Sequence, residues 1–157
     1  MPNWCENILE VSGETEDLEE FARFVKSPDS LFDFNQVIPY PTEYARLDRD
    51  PPPDGKDGFN RGGYRWCLDN WGTKWWIQDV HVSGHPTLLT YQFDTAWSPP
   101  TPVIAKLIEW FPNLVFELHY KEEGVGFMGT LVGVNGVSKW TRRELRSLRA
   151  AASRSCR

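Results

Sequence analysis

The order of two amphipathic helices among short strands restricts the folds open to this chain. Apolar side chains recur at helical spacing in residues 15–25 and in residues 101–111, and Pro28 and Pro112 follow the two stripes. Alternating or β-rich segments surround them and predict strands at residues 7–13, 76–82, 88–93, 114–120 and 125–134. Residues 32–38 are also predicted to be extended. The resulting order is strand, helix, insertion, strand, strand, helix, strand, strand.

This order predicts an α+β protein. Without the insertion and the last strand it is the ferredoxin-like β-α-β-β-α-β two-layer sandwich, with an extra C-terminal strand. Residues 42–63 contain Pro51-Pro52-Pro53 and few core-forming side chains, which predicts a long loop insertion. Thr141–Glu144 fits a capping box, which predicts a C-terminal helix. We therefore expect one domain over residues 1–138 and a basic helix or tail over residues 139–157.

The charge of the chain is divided unevenly. Residues 139–157 hold seven basic side chains and one acidic one, a net charge of +6 within a total of -5, so the preceding body carries -11. An acidic body repels nucleic acid, whereas a basic tail attracts it or docks on an acidic surface. Cys5, Cys67 and Cys156 are odd in number and widely spaced, which indicates reduced thiols in a cytoplasmic protein. No apolar run approaches the roughly 20 residues that span a bilayer, so no membrane association is expected.

A dense tryptophan cluster lies near the middle of the chain. Three of the eight tryptophans fall between Trp71 and Trp76. Such rings either fill a core or form a recognition surface, because they combine large area with a polar edge. The core reading is the commoner one, and the alternative is a partner-binding site. The candidate binding residues are Asn70, Trp71, Gly72, Thr73, Lys74, Trp75 and Trp97.

A second set of candidate residues concerns metal binding and acid–base catalysis. If their strands share an open sheet face, a metal or acid–base cluster is conceivable, formed by Asp79, His81, Glu117 and His119. The competing interpretation is a solvated polar face, which a two-layer sheet requires. No nucleophile motif is present, and Gly124–Gly129 leads into a strand rather than the helix that would hold a phosphate. We therefore expect no cofactor, no metal and no catalytic residue.

Four strings resemble one protein family. Met1–Asn7 is similar to the opening of the YubB-like proteins of phages and plasmids, also described as Api-type proteins with a ferredoxin-like domain. Asn70–Trp75 and Thr95–Pro100 resemble two further signatures. Phe111-Pro112 with Tyr120–Gly124 and Phe127–Gly129 resembles the closing hairpin of the family. The resemblance implies a ferredoxin-like fold and a mobile genetic element, and it implies little chemistry.

Two features depart from the family pattern. Trp76 stands where the family has Asp, and the arginine-rich end after Ser138 looks external to the family core.

Three functions follow as hypotheses. The first is a non-enzymatic phage or plasmid protein that binds a host protein in the bacterial cytoplasm, such as a nucleic-acid-binding defence complex, and inhibits host defence as anti-CRISPR proteins do. The second is binding of single-stranded nucleic acid by the sheet face and the basic tail. Its candidate residues are Arg142, Arg143, Arg146 and Arg149. The third is a metal-assisted enzyme on the open face.

Overall fold

One antiparallel sheet of six strands organises the residues that the structure describes. The computed structural model describes residues 2–77 and 79–145. The strands are β1 (Trp4–Ser12), β2 (Val80–His85), β3 (Leu88–Ala96), β4 (Val115–Glu122), β5 (Phe127–Val134) and β6 (Val137–Glu144). The helices are α1 (Thr15–Val25), α2 (Phe34–Val37), α3 (Thr42–Arg49), α4 (Tyr64–Asn70) and α5 (Thr101–Trp110), and a single π-helical turn occupies Phe59–Gly63.

The strand order confirms the predicted ferredoxin-like fold. The sheet runs β2-β3-β1-β4-β5-β6, so β1 lies between β3 and β4, and its register pairs Ile8 with both Gln92 and His119. The first four strands with α1 and α5 make the split β-α-β unit repeated in this fold. Two hairpins then widen the sheet by β5 and β6, where the sequence predicted one extra strand.

The core lies between one sheet face and the two long helices. α1 buries Leu18, Phe21 and Val25, and the Phe21 ring lies edge-on to Tyr91 at 5.9 Å and to Phe116 at 5.5 Å. Alternate residues of the central strands point to this side, as the buried–exposed alternation of β1 and β4 shows. The opposite face is open and carries both polar side chains, such as Glu6 and Glu10, and the exposed apolar Ile8. None of the helices in the described ranges combines the length and apolar character that a bilayer crossing requires.

Two local predictions are wrong in the middle of the chain. The expected extended piece at residues 32–38 contains the short helix α2, whose first turn is capped by Asp33 through the Asn35 backbone N–H at 2.9 Å. The expected loop at residues 42–63 contains α3 and the π-helical turn. α3 has no buried residue, so its sequence lacked the apolar stripe that predicts a helix.

The prediction that a C-terminal helix begins at Thr141 is also wrong. Residues 137–144 form the edge strand β6 rather than a helix opened by Thr141. The predicted boundary at residue 138 therefore falls inside a strand, and β6 is part of the sheet. Residues 146–157, where that helix or tail was expected to continue, lie outside the described residues.

Candidate functional site

A row of large side chains crosses the surface where β1 begins and β3 ends. We call it the aromatic row, and its members, each in contact with the next, are Trp4, Trp75, Lys74, Trp97, Tyr64 and Phe59. The Trp4 and Trp75 rings lie 6.3 Å apart, and the Trp97–Tyr64 and Tyr64–Phe59 distances are 6.2 and 5.6 Å. The Lys74 Nζ lies between the two central rings, 4.6 Å from the Trp75 centroid and 4.7 Å from that of Trp97. Trp4 and Trp97 remain 43% and 39% exposed, so the row is accessible to a partner.

Trp71 belongs to the core. Its side chain is fully buried, and its indole N–H donates to the Ile38 carbonyl oxygen at 2.8 Å. Asn70 closes α4 by donating its side-chain amide to the Trp66 carbonyl oxygen at 3.0 Å. Rings packed around Trp71 are those of Phe34, Tyr40 and Trp66. Of the residues predicted to bind a partner, Trp71 therefore lies beneath the surface and supports it.

Gly72 and Thr73 tie the segment to the end of β3. Thr73 is fully buried and donates its hydroxyl to the Ala96 carbonyl oxygen at 2.8 Å. Gly72 adopts a positive φ of 76°, and its carbonyl oxygen accepts from the Ser98 hydroxyl at 2.5 Å. These two cross-links fix the backbone immediately before Lys74 and bring that side chain against Trp97.

Trp97 is held in an unfavourable backbone conformation. Its φ is +69°, in the left-handed region that large L-residues rarely adopt. Its backbone N–H donates to the Asn3 carbonyl oxygen at 2.9 Å, and the Thr95 hydroxyl donates to the Ser98 carbonyl oxygen at 2.7 Å. Such strain persists only where surrounding contacts over-determine it, and it concentrates at functional sites. The result is an indole displayed to solvent next to Lys74.

Carboxylates lie at both ends of the row, beside Trp4 and beside Phe59. Asp79 and Asp94 line a cleft of about 220 Å³ with Trp4 and Trp75. A second cleft of about 410 Å³ has Asp48 and Asp57 on its wall. Trp76 lines both clefts, and half of its surface is exposed. The site is therefore an apolar strip with carboxylates beside it.

The structure does not bring the four metal candidates together. Asp79 and His81 lie at the β2 edge, and Glu117 and His119 lie on β4. Three strand spacings separate the pairs, which is about 14 Å at the usual interstrand distance. His119 Nε2 lies 2.9 Å from Glu117 Oε1, as an exposed pair on one strand. Among residues 2–77 and 79–145 no group of three or more His, Cys, Asp or Glu side chains could hold a metal ion.

The described thiols are buried and poorly nucleophilic. Burial raises the pKa of Cys5 to about 12, with the nearby Glu122 carboxylate adding to the effect. Burial raises the pKa of Cys67 to about 12 as well, and the negative charge of Asp48 adds to it. Because the thiolate is the nucleophile, burial disfavours the reactive form of both groups. Cys156 lies outside the described residues.

The basic residues predicted to bind nucleic acid are only partly described. The Arg142 guanidinium carbon lies 3.9 Å from the centroid of the Phe127 ring, on the helix side of β6. Arg143 pairs in register with Met128 and lies on the open face, in a concavity that also contains Ile8. Arg146 and Arg149 lie outside the described residues. The two described arginines thus belong to opposite faces of one strand.

The fold and surface define a ferredoxin-like protein with an open sheet face and a displayed aromatic row. Residues 70–143 match the family model described as the ferredoxin-like domain in Api92-like protein. The match begins at Asn70, the start of the Asn70–Trp75 string. It ends at Arg143 within β6, so the matched residues extend past Ser138.

A solved structure has the same fold. The chain is similar to the crystal structure of the protein Api92 from Yersinia pseudotuberculosis, with a TM-score of 0.58 and 12% sequence identity. The alignment covers 90% of this chain and 98% of that one. At this identity the likeness shows the fold alone. A comparison with curated proteins gave no match.

Sequence reasoning missed half of the aromatic row. Trp75, Lys74 and Trp97 were candidates, whereas Trp4, Tyr64 and Phe59 were not. The position of Trp4 could have been predicted, because in a strand its side chain lies on the face opposite Cys5 and Asn7. That face is the exposed one in β1. Phe59 and Tyr64 reach the row through the π-helical turn and α4, and no sequence pattern predicted that turn.

Proposed function

We propose that this chain is a non-enzymatic binding protein that engages a basic surface of another protein through the aromatic row. The observation that carries the proposal is the display of Trp97, whose indole is exposed on a backbone held at a positive φ. Exposed tryptophans that are fixed before binding make effective anchors, because little side-chain freedom is lost on association. The anchor residues on this reading are Trp75, Trp97 and Trp4.

Charge supports a basic partner. Asp48, Asp57, Asp79 and Asp94 lie beside the row, and the chain before residue 139 carries a net charge of -11. Complementary charge speeds association and excludes acidic competitors. The cationic Lys74 is the exception within the row, and its ammonium group lies between the Trp75 and Trp97 rings.

The kind of partner follows from the resemblance to proteins of phages and plasmids. A protein of a mobile element meets host proteins in the bacterial cytoplasm, and nucleic-acid-binding machines present basic clefts. More specifically, we propose that the protein inhibits host defence by occupying the nucleic-acid cleft of a defence complex. This form rests on analogy and on the acidic, tryptophan-bearing surface.

The proposal is tested by capture from bacterial lysate with matched variants. Tagged protein, Trp75→Ala/Trp97→Ala and Trp110→Ala are compared with and without nuclease, and bound proteins are identified by mass spectrometry. Trp110 is a fair control because it is 45% exposed and lies on α5, away from the row. We expect a stoichiometric protein that survives nuclease, is retained by Trp110→Ala and is lost from the double variant. Equal capture by all three proteins would contradict the proposal.

Binding of single-stranded nucleic acid is the second candidate. Lys139 and Arg143 pair in register with Val132 and Met128 and so share the open face of β6, where they could contact phosphates. Against it, Glu6 and Glu10 occupy the same face of β1, where open-sheet binders need stacking rings. Fluorescence anisotropy with labelled oligonucleotides should then show affinity that falls steeply with salt and depends on Lys139 and Arg143. Salt-insensitive or absent binding would exclude this candidate.

A further inference from the structure

The gap between Trp75 and Trp97 has the geometry of a cation site. Two indole rings face one ammonium group, with both centroids within 5 Å of the Lys74 Nζ. A cation within about 6 Å of a tryptophan ring is attracted by the negative charge of its π face. Within residues 2–77 and 79–145 no carboxylate lies at ion-pair distance from Lys74. Its interactions in the site are therefore those of a cation held by rings alone.

We propose that Lys74 is an internal occupant of this site, and that an arginine side chain of a partner protein displaces it. This inference rests on the proposed binding function and names the chemistry of the group that is bound. A guanidinium suits the gap better than an ammonium, because it is planar, weakly hydrated and stacks on aromatic faces. Lys74 can leave at little loss, because its flexible chain returns the ammonium to water.

The surroundings support exchange at this site. A cleft of about 370 Å³ opens beside Lys74 and Trp97, with Tyr64 and Phe59 on its wall, so an incoming side chain has an approach. Arg65 also lines the cleft, and its guanidinium is paired with Asp69 at 2.9 Å. Asp79 and Asp94 lie at the far side of Trp75, where they attract positive charge. The Trp97 backbone is held by the hydrogen bond from its N–H to the Asn3 carbonyl oxygen, whereas the Lys74 ammonium is held by the Trp75 and Trp97 rings.

The test uses a charged probe and its neutral counterpart. N-acetyl-arginine amide and N-acetyl-citrulline amide differ by one charge at nearly equal shape. Each is titrated at constant ionic strength into the wild type and Lys74→Met, and the indole N–H signals are followed by NMR. Trp75→Phe and Trp97→Phe variants assign the two signals. We expect the arginine probe to shift both signals in Lys74→Met with a Kd at least about fivefold lower than in the wild type, and the citrulline probe to shift neither.

A matched lysine serves as the control. Lys106 lies 5.7 Å from the centroid of a single ring, that of Trp110, so Lys106→Met removes a surface cation without opening a two-ring site. This variant should bind the arginine probe as weakly as the wild type. Lys74→Gln repeats the measurement if Lys74→Met does not fold. Equal affinity of wild type and both Lys74 variants, or equal shifts with the neutral probe, would overturn the cation site.

The partner experiment separates this inference from the proposed function. A cation site that binds the arginine probe in Lys74→Met survives even if no protein is captured from lysate, and the proposed function then fails alone. If a partner is captured, Lys74→Met should hold it more tightly than the wild type, because the internal competitor is gone. Loss of the partner from Lys74→Met would show that Lys74 itself is the contact, and would overturn displacement.

Discussion

Trp71 and Trp76 belong to the same tryptophan cluster but differ in burial. Trp71 lies under the surface among Phe34, Tyr40 and Trp66, with its indole N–H bonded to a backbone carbonyl. Trp76, five residues later, leaves half of its surface in water. The sequence reading kept core and surface roles open for this cluster, because composition alone cannot assign the direction of each ring. The turn at Gly72, with its bonds to β3, decides that direction.

Replacing Trp71 by alanine should destabilise the fold strongly. The change empties a fully buried site and leaves the Ile38 carbonyl oxygen without its donor, so we expect a loss of about 3–5 kcal/mol in the free energy of unfolding. Urea denaturation followed by circular dichroism measures it. Trp76→Ala is the control and should change stability by less than about 1 kcal/mol, since its ring is exposed. Similar losses in both variants would mean that Trp76 is also structural.

The edge strand β6 was not predicted from the sequence. The capping-box pattern at Thr141–Glu144 favoured a helix, whereas Asn135-Gly136 between Val134 and Val137 is a strong hairpin signal. Both turn residues have positive φ, 53° and 77°, as a type I′ hairpin turn requires. A side-chain contact from β4 also ties the β5–β6 hairpin to the sheet. The Tyr120 hydroxyl donates to the Thr141 carbonyl oxygen at 2.5 Å, across β5.

Gly129 makes that contact possible and supplies a second prediction. A Cβ at this position would lie 2.0 Å from the Thr141 carbonyl oxygen and 2.3 Å from the Tyr120 hydroxyl. Gly129→Ala should therefore push β6 from the sheet at a loss of roughly 1–3 kcal/mol, and hydrogen exchange at residues 137–144 should accelerate. Tyr120→Phe is the companion variant, which removes the hydroxyl without the clash and should cost about 1 kcal/mol. Unchanged exchange in Gly129→Ala would refute this account of the hairpin.

The described residues form a ferredoxin-like unit that two further strands widen. The order of the first four strands was predictable from helical and alternating patterns, because those patterns report local periodicity. The inner part of the widening, β5, was also predicted. The distance between the pair Asp79 and His81 and the pair Glu117 and His119 was not predictable. Alternation shows which residues share a sheet face, but distances across the sheet depend on the strand order. The structure also places Arg142 and Arg143 within the sheet, rather than in a separate tail.

Truncation tests whether β6 belongs to the folding unit. A chain ending at Ser138 loses the Thr141 acceptor and the guanidinium that covers Phe127, and it exposes the edge of β5. A chain ending at Leu145 keeps these contacts and the Leu145 N–H bond to the Gly126 carbonyl oxygen at 2.7 Å. We expect the shorter chain to be less stable by at least about 2 kcal/mol in urea denaturation. Equal stability would support the domain limit at residue 138 that the sequence suggested.

The backbone of Trp97 has a consequence for how this protein responds to selection in the laboratory. At a φ of +69° a bulky residue is less favourable than glycine by roughly 1–2 kcal/mol. A mutant library screened only for thermal tolerance should therefore enrich glycine or asparagine at position 97, and each winner would lack the indole. Selection for stability would then favour a different residue at position 97 from selection for binding. The residue found there after a screen would show which of the two properties was selected.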